Sequence, residues 1–325
     1  MILDQPTTSP VPSRRRAPRN SINCYKGTLS RLLLSIELKL SFNVLFPLRK
    51  DRNVQVKVTN DIRPPSKLLL ALEGGRALLE YYATLAALPI LRSAPRGDGH
   101  SVLIFPGLTA SDASTLTLRE FLRAQGYKAH EWGLGLNLGP REGVLDACLK
   151  RVKKLRAESG RKVSLIGWSL GGIYAREMAK LAAEDVRCVI TLGTPFKGSP
   201  RATNAWRVYE LASGERIDRM DSSQFASPPP IPTTSIFSRT DGVVAWQCSV
   251  ERETSKVENI EVEASHIGLG AHPAVIYAIA DRLAQPEGAW KKFDRERGLR
   301  SLFYKDEKRE ELRNEPARTA VLQAA

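Results

Sequence analysis

Apolar and polar positions change rhythm three times along the chain. Leu34, Ile36, Leu38, Leu40, Phe42 and Val44 alternate with Ser35, Glu37, Lys39, Ser41 and Asn43, and a period of two marks a strand. Val54, Val56 and Val58 alternate in the same way after Pro47, so the two runs can pair as an antiparallel hairpin. The alternative is that residues 1–60 form a poorly packed extension or precede a natural start. Pro6, Pro10, Pro12 and Pro18 interrupt them, and Arg14-Arg15-Arg16 adds self-repulsion. After Pro64-Pro65, residues 66–92 become dense in Leu and Ala. They predict one or two apolar helices broken near Gly74-Gly75, packing against a sheet or beside a substrate channel.

From residue 101 the rhythm is regular. Short apolar runs at 102–105, 127–131, 163–166, 187–192, 234–237 and 258–262 alternate with helical patterns at about 114–125, 143–158, 171–183 and 272–284. Strands alternating with helices predict an α/β domain, a mainly parallel sheet of about six strands with helices on both faces. One long interruption, about 197–232, holds a helical pattern at 203–213 and the Pro228-Pro229-Pro230 break. An insertion of that length in a compact α/β domain reads as a small cap or lid. The expected organisation is a basic extension (1–60), the main domain (61–290) carrying the cap, and a charged tail (291–325).

Composition narrows the function classes. The chain has 325 residues, is 42% hydrophobic and 26% charged, and can bury a sizeable core. No window holds 18 consecutive apolar residues, so a spanning helix is not expected, and the early arginines lack the order of a signal peptide. A cytoplasmic location, with a membrane-peripheral one as the alternative, is the expectation. Cys24, Cys148, Cys188 and Cys248 lie far apart without a CxxC pair, which argues against a metal cluster or disulfide framework. The net charge of +14 sits mostly at the ends: residues 1–60 hold eleven Lys/Arg against three acidic residues. After Trp290, Leu299, Leu302 and Phe303 give a short apolar face in an otherwise solvated tail, where weak attachment to an anionic membrane surface is the minority reading. No nucleic-acid-reading motif accompanies the basic ends, and nucleic acid is not an expected partner.

The chemistry concentrates around Gly167-Trp168-Ser169-Leu170-Gly171-Gly172, which follows the apolar run at 163–166 and opens a helical pattern. A G-x-S-x-G between strand and helix presents the serine on a sharp turn above the carboxyl ends of the strands. A serine hydroxyl needs a neighbouring base. Of four histidines, His100 and His130 precede the serine. His266 follows the last predicted strand and is the candidate base, with His272 as the alternative. Asp241, directly after the run at 234–237, is the candidate carboxylate that orients the imidazole. The backbone N–H groups of Leu170 and Leu108 suit an oxyanion hole. Gly107 would let the backbone approach substrate closely. Asn137, in a glycine-spaced loop after the second strand, could hydrogen-bond substrate or lid, although simple turn chemistry also explains that loop. Trp168 borders the nucleophile, as a substrate contact or packed against neighbouring strands.

Residues 101–290 resemble an α/β hydrolase of the serine lipase/esterase type. The matching pieces are Phe105-Pro106-Gly107-Leu108, the Gly167–Gly172 run, Gly193-Thr194-Pro195-Phe196-Lys197-Gly198-Ser199, Thr240-Asp241-Gly242-Val243-Val244 and Ser265-His266-Ile267-Gly268. The resemblance implies the α/β-hydrolase fold, a Ser169–Asp241–His266 triad, and neither metal nor organic cofactor. Two departures stand out: Phe196 replaces a histidine common in such lipases, and no hairpin is evident before residue 102. The second implies a trimmed six-strand sheet. The expected activity is hydrolysis of carboxylic esters of small molecules or lipids through an acyl-enzyme on Ser169. An acyltransferase using the same triad, and a non-catalytic binding protein on this fold, are the alternatives. The oligomeric state is open.

Overall fold

The computed structural model describes residues 62–220 and 222–304, all within the larger of two compact units, Leu45–Ala325. The alternating runs at 34–44 and 54–58 and the end of the charged tail lie outside these described residues. Six strands form where the apolar runs predict them: β1 Ser101–Phe105, β2 Lys128–Glu131, β3 Val163–Trp168, β4 Val186–Leu192, β5 Thr233–Phe237 and β6 Val257–Glu261. They make one sheet in the order β2-β1-β3-β4-β5-β6, with every pairing parallel. A parallel sheet covered on both faces needs near-continuous apolar strands. All five residues of β1 and all seven of β4 are buried accordingly.

The covering helices are α1 Lys67–Leu91, α2 Leu116–Ala124, α3 Val144–Ser159, α4 Leu170–Leu181, α5 Trp206–Ser213 and α6 Pro273–Leu283. In α3, Leu145, Cys148, Leu149, Val152 and Leu155 are the buried residues, the stripe that helical spacing places on one face. Gly160 ends that helix in a left-handed conformation.

Helix α1 departs from the sequence expectation. It runs unbroken through Gly74-Gly75, although two interior glycines cost about 1 kcal/mol each relative to alanine. Its orientation is also inverted. Glu73 and Thr84 are buried, while Leu68, Leu72, Leu79, Tyr82 and Leu85 are exposed. Tertiary hydrogen bonds from its polar face, described below, offset the glycine cost. The expected hairpin position before β1 is thus occupied by a helix lying over the loops at the carboxyl ends of β5 and β6.

The segment after Trp290 differs as well. Phe293, Arg300 and Tyr304 anchor its described part to the domain, while most of the residues between them are exposed. The Phe293 and Tyr304 rings are buried edge-to-face with centroids 4.7 Å apart, and Tyr304 Oη donates to the Ala274 carbonyl at 2.7 Å. Leu302 and Phe303 point to solvent.

Candidate active site

The end of β3, the turn and α4 set the site. Ser169 has φ 52° and ψ −122°, a strained conformation for a side chain bearing a Cβ. Only Thr109, on the facing loop, shares a positive φ among described non-glycine residues. The strain is held by bonds on both sides: Ser169 N–H donates to the Leu192 carbonyl at 2.8 Å, and Gly172 N–H donates to the Ser169 carbonyl at 2.9 Å. The turn also needs Gly167, because a Cβ there would overlap the Gly172 backbone.

Asp241 and His266 meet on the loops after β5 and β6. The His266 ring Nδ1 and Asp241 Oδ2 are 2.6 Å apart, and both residues are nearly wholly buried. Asp241 Oδ1 accepts from the Val243 and Val244 N–H groups at 2.8 and 2.7 Å, which fixes the carboxylate. Burial alone would lower the His266 pKa. The Asp241 charge and hydrogen bond outweigh it, aided by the charge of Glu73, and the imidazole lies above its ordinary value. A link to the serine turn comes from Trp168, whose indole N–H donates to the His266 carbonyl at 3.0 Å. Gly193, one residue after the Leu192 carbonyl that holds Ser169, lies directly beneath the pair. A Cβ on it would stand 3.1 Å from both Asp241 Oδ2 and His266 Nδ1.

Leu108 and Leu170 stand with Ser169 on an open cleft whose other walls include Ile173, Trp206 and Phe225. Among the described residues neither the Leu108 nor the Leu170 N–H has a backbone acceptor. Gly107 is buried against the serine turn: a Cβ on it would sit 3.4 Å from Ser169 Cβ.

Two sequence candidates occupy the packing positions that were their alternatives to substrate contact. Asn137 is wholly buried. Its Nδ2 donates to the Pro106 carbonyl at 2.8 Å, and its backbone exchanges bonds with Thr109 and Ala110 at 2.7 and 2.8 Å. It underpins the loop that carries Leu108 and faces no cleft, because the loop's backbone takes up its polar groups. Trp168 does not line the cleft either; its indole turns towards Gly270 and the histidine loop.

The alternative base, His272, caps α6. Its Nδ1 accepts from Ala274 N–H at 3.2 Å, and burial, with Arg76 nearby, pushes its pKa down to about 4. A second serine–histidine–aspartate series lies at the amino ends of the strands. His100 bridges Asp98 at 2.5 Å and Ser164 at 2.8 Å. Ser164 and His100 are wholly buried, and Arg187 and Arg161 share the Asp98 carboxylate. No substrate reaches that serine, so the series is a polar tie between strands.

Sequence reasoning missed the polar face of α1. Glu73 Oε1 accepts from Gly242 N–H at 2.7 Å and His266 N–H at 3.0 Å, and its Oε2 accepts from Ile267 N–H at 2.9 Å. Arg76 donates to the Thr240 carbonyl and hydroxyl at 2.6 and 2.8 Å. Glu80 receives the Ser265 N–H and hydroxyl at 2.7 and 2.6 Å, and Thr84 donates to the Ala271 carbonyl. The signal was present: Glu73, Arg76 and Glu80 are the sole charged residues between 68 and 91, and with Thr84 they fall on one helical stripe.

Phe196, the departure from the lipase pattern, is wholly buried, with the Arg176 guanidinium 4.0 Å from its ring centroid. Arg176 pairs with Glu251 in the interior and donates to the Phe225 and Ser227 carbonyls at 3.1 and 3.0 Å. The position therefore anchors the returning end of segment 197–232.

The parallel sheet order and the strand–turn–helix around Ser169 are those of the α/β-hydrolase fold. Residues 135–260 match the family described as the PGAP1-like alpha/beta domain. A stretch of 77 residues is 40% identical to a triacylglycerol lipase of Pseudarthrobacter phenanthrenivorans, covering 23% of this chain and 24% of that protein. A triacylglycerol lipase of Burkholderia plantarii matches at the same identity over 77 residues, 23% of this chain and 21% of that protein. The matched stretch thus spans about a quarter of the length of these curated relatives. Among solved structures, Aspergillus fumigatus lipase B is similar with a TM-score of 0.48 and 17% identity, over 65% of this chain and 58% of that one. The Paleococcus ferrophilus monoacylglycerol lipase is similar with a TM-score of 0.41 and 15% identity, over 56% and 96%. No helix among the described residues is long and apolar enough to cross a membrane.

Proposed function

We propose that the protein is a serine ester hydrolase acting on esters with an apolar acyl or alcohol group. Ser169 Oγ attacks the ester carbonyl while His266 takes its proton, with Asp241 holding the imidazole and stabilising its charged form. The Leu108 and Leu170 N–H groups donate to the oxyanion of the tetrahedral intermediate. Collapse expels the alcohol, which takes the proton back from His266. Water, deprotonated by His266, then attacks the acyl-enzyme and releases the acid.

The observation that carries this reading is the 2.6 Å Asp241–His266 contact, joined through the Trp168 indole to a serine held in a strained turn at the cleft. The mostly apolar walls, with Ile173, Trp206 and Phe225, support an apolar substrate, and segment 197–232 is the cap above it. Hydrolysis of p-nitrophenyl esters from acetate to palmitate, in wild type and Ser169→Ala, tests the proposal. Activity that disappears in the variant is expected. Equal activity in both proteins would overturn the mechanism. An added alcohol that diverts product to a new ester would assign acyl transfer instead.

A further inference from the structure

We infer that Glu73, on a helix outside the parallel sheet, is a positioning residue for the proposed reaction, clamping the Asp241 loop to the His266 loop and adding negative charge behind the imidazole. The inference rests on the Ser169–Asp241–His266 reading above.

Three observations carry it. First, one carboxylate serves both loops: Oε1 is shared by Gly242 N–H, the residue after Asp241, and by His266 N–H, while Oε2 takes Ile267 N–H. Both oxygens accept, and the residue is 2% exposed. A charged acceptor in such surroundings makes hydrogen bonds roughly twice as strong as neutral ones.

Second, the loops are shaped for the helix. A Cβ on Gly242 would run into the Leu69 and Leu70 backbone of α1, and a Cβ on Gly268 would overlap the Glu80 carboxylate. Glycine at both positions lets α1 approach the backbone of both loops closely.

Third, the other charges of this helix face cancel. Arg76 and Glu80 lie 3.9 Å apart one helical turn from each other, so Glu73 dominates the field of α1 at His266. The charged groups acting on the imidazole are then Asp241 from the acid loop and Glu73 from α1; the Arg76–Glu80 pair shares that helix face, and His272 at the start of α6 lies near Arg76. The Glu73 charge stabilises the imidazolium, the form His266 adopts when it has taken the serine proton.

The test is the rate of covalent labelling of Ser169 by a fluorophosphonate, measured across the histidine titration range, with thermal unfolding as the check on folding. Glu73→Gln keeps the size and removes the charge. Its plateau rate should fall about tenfold to a hundredfold, as misplaced catalytic groups do, and its acid limb should move to lower pH because the imidazolium loses a partner. Glu73→Asp keeps the charge and shortens the reach by one methylene. Its plateau should fall while the acid limb stays near that of wild type. A folded Glu73→Gln protein with an unmoved acid limb would overturn the inference, whether or not its plateau fell. So would a Glu73→Asp protein with a wild-type plateau. A wild-type protein that is never labelled would instead sink the Ser169 reading itself.

Discussion

The indole N–H of Trp168 donates to the backbone carbonyl of His266 across 98 residues of sequence, at 3.0 Å. The residue before the candidate nucleophile thereby fixes the loop of the candidate base. This bond ties the β3–α4 turn to the loop after β6. Trp168→Phe removes the donor, together with part of the ring that lies against Gly270, and leaves a carbonyl unpaired. Stability should fall by about 1 kcal/mol, read from urea unfolding. Fluorophosphonate labelling should slow several-fold, since His266 gains freedom to drift. Labelling at the wild-type rate would show that the loop is held without this bond.

Asp241 both orients His266 and raises its pKa. In the proposed mechanism the neutral imidazole is the base, so a raised pKa moves the acid limb of kcat/KM upwards. The limb should be centred above about 6.5, the ordinary imidazole value. Asp241→Asn should cut the rate by about 10⁴-fold, because the amide supports the wrong tautomer, and its residual acid limb should fall below that of wild type. An acid limb at or below the ordinary imidazole value in wild type would contradict the assigned base.

Arg176 illustrates a different kind of dependence. Its guanidinium is wholly buried, paired with Glu251 and stacked on Phe196. Arg176→Met leaves the Glu251 carboxylate in the interior without its partner. Breaking a buried pair from one side costs about 3–5 kcal/mol, which should appear as a large drop in the urea midpoint. Arg176→Met combined with Glu251→Leu should recover part of that loss, since neither charge is then stranded. A double variant no better than the single one would mean that the bonds to Phe225 and Ser227, rather than the ion pair, carry the stability.

What could be read from sequence followed from local rules. The strands ending at Phe105, Trp168 and Phe237 are short, almost wholly buried runs bounded by turns, and Ser169, Asp241 and His266 each sit just past a strand end, where the parallel sheet gathers its loops. Helix α1 could not be read the same way. Its leucines suggest burial, yet Leu72 and Leu79 are exposed and Glu73 is buried, because the loops it covers offer unpaired backbone N–H groups that only a polar face can satisfy. The Gly74-Gly75 pair reads as a break by propensity, but tertiary bonds on either side hold it helical. Asn137 failed for a related reason. An exposed-looking turn asparagine was drawn inward by backbone groups of a loop distant in sequence, a demand that no window around residue 137 reveals.

His272 allows the last of these ideas to be tested through acid stability. As the residue before α6, it accepts the Ala274 N–H with a ring nitrogen, which requires that nitrogen to be unprotonated. Burial, with Arg76 nearby, depresses its pKa to about 4, against about 6.5 in the unfolded chain. Between those values the unfolded state binds the extra proton and the folded state does not, so stability is lost as pH falls from 6.5 through 4. His272→Asn keeps a good helix cap and removes the titration. The variant should therefore lose less stability than wild type when urea unfolding is compared at neutral pH and near pH 5. Its fluorophosphonate labelling at neutral pH should match wild type, because His272 caps a helix while His266 faces Asp241. Equal acid losses in the two proteins would show that His272 is not a proton-sensitive cap. A variant that no longer labels Ser169 would restore His272 as the base.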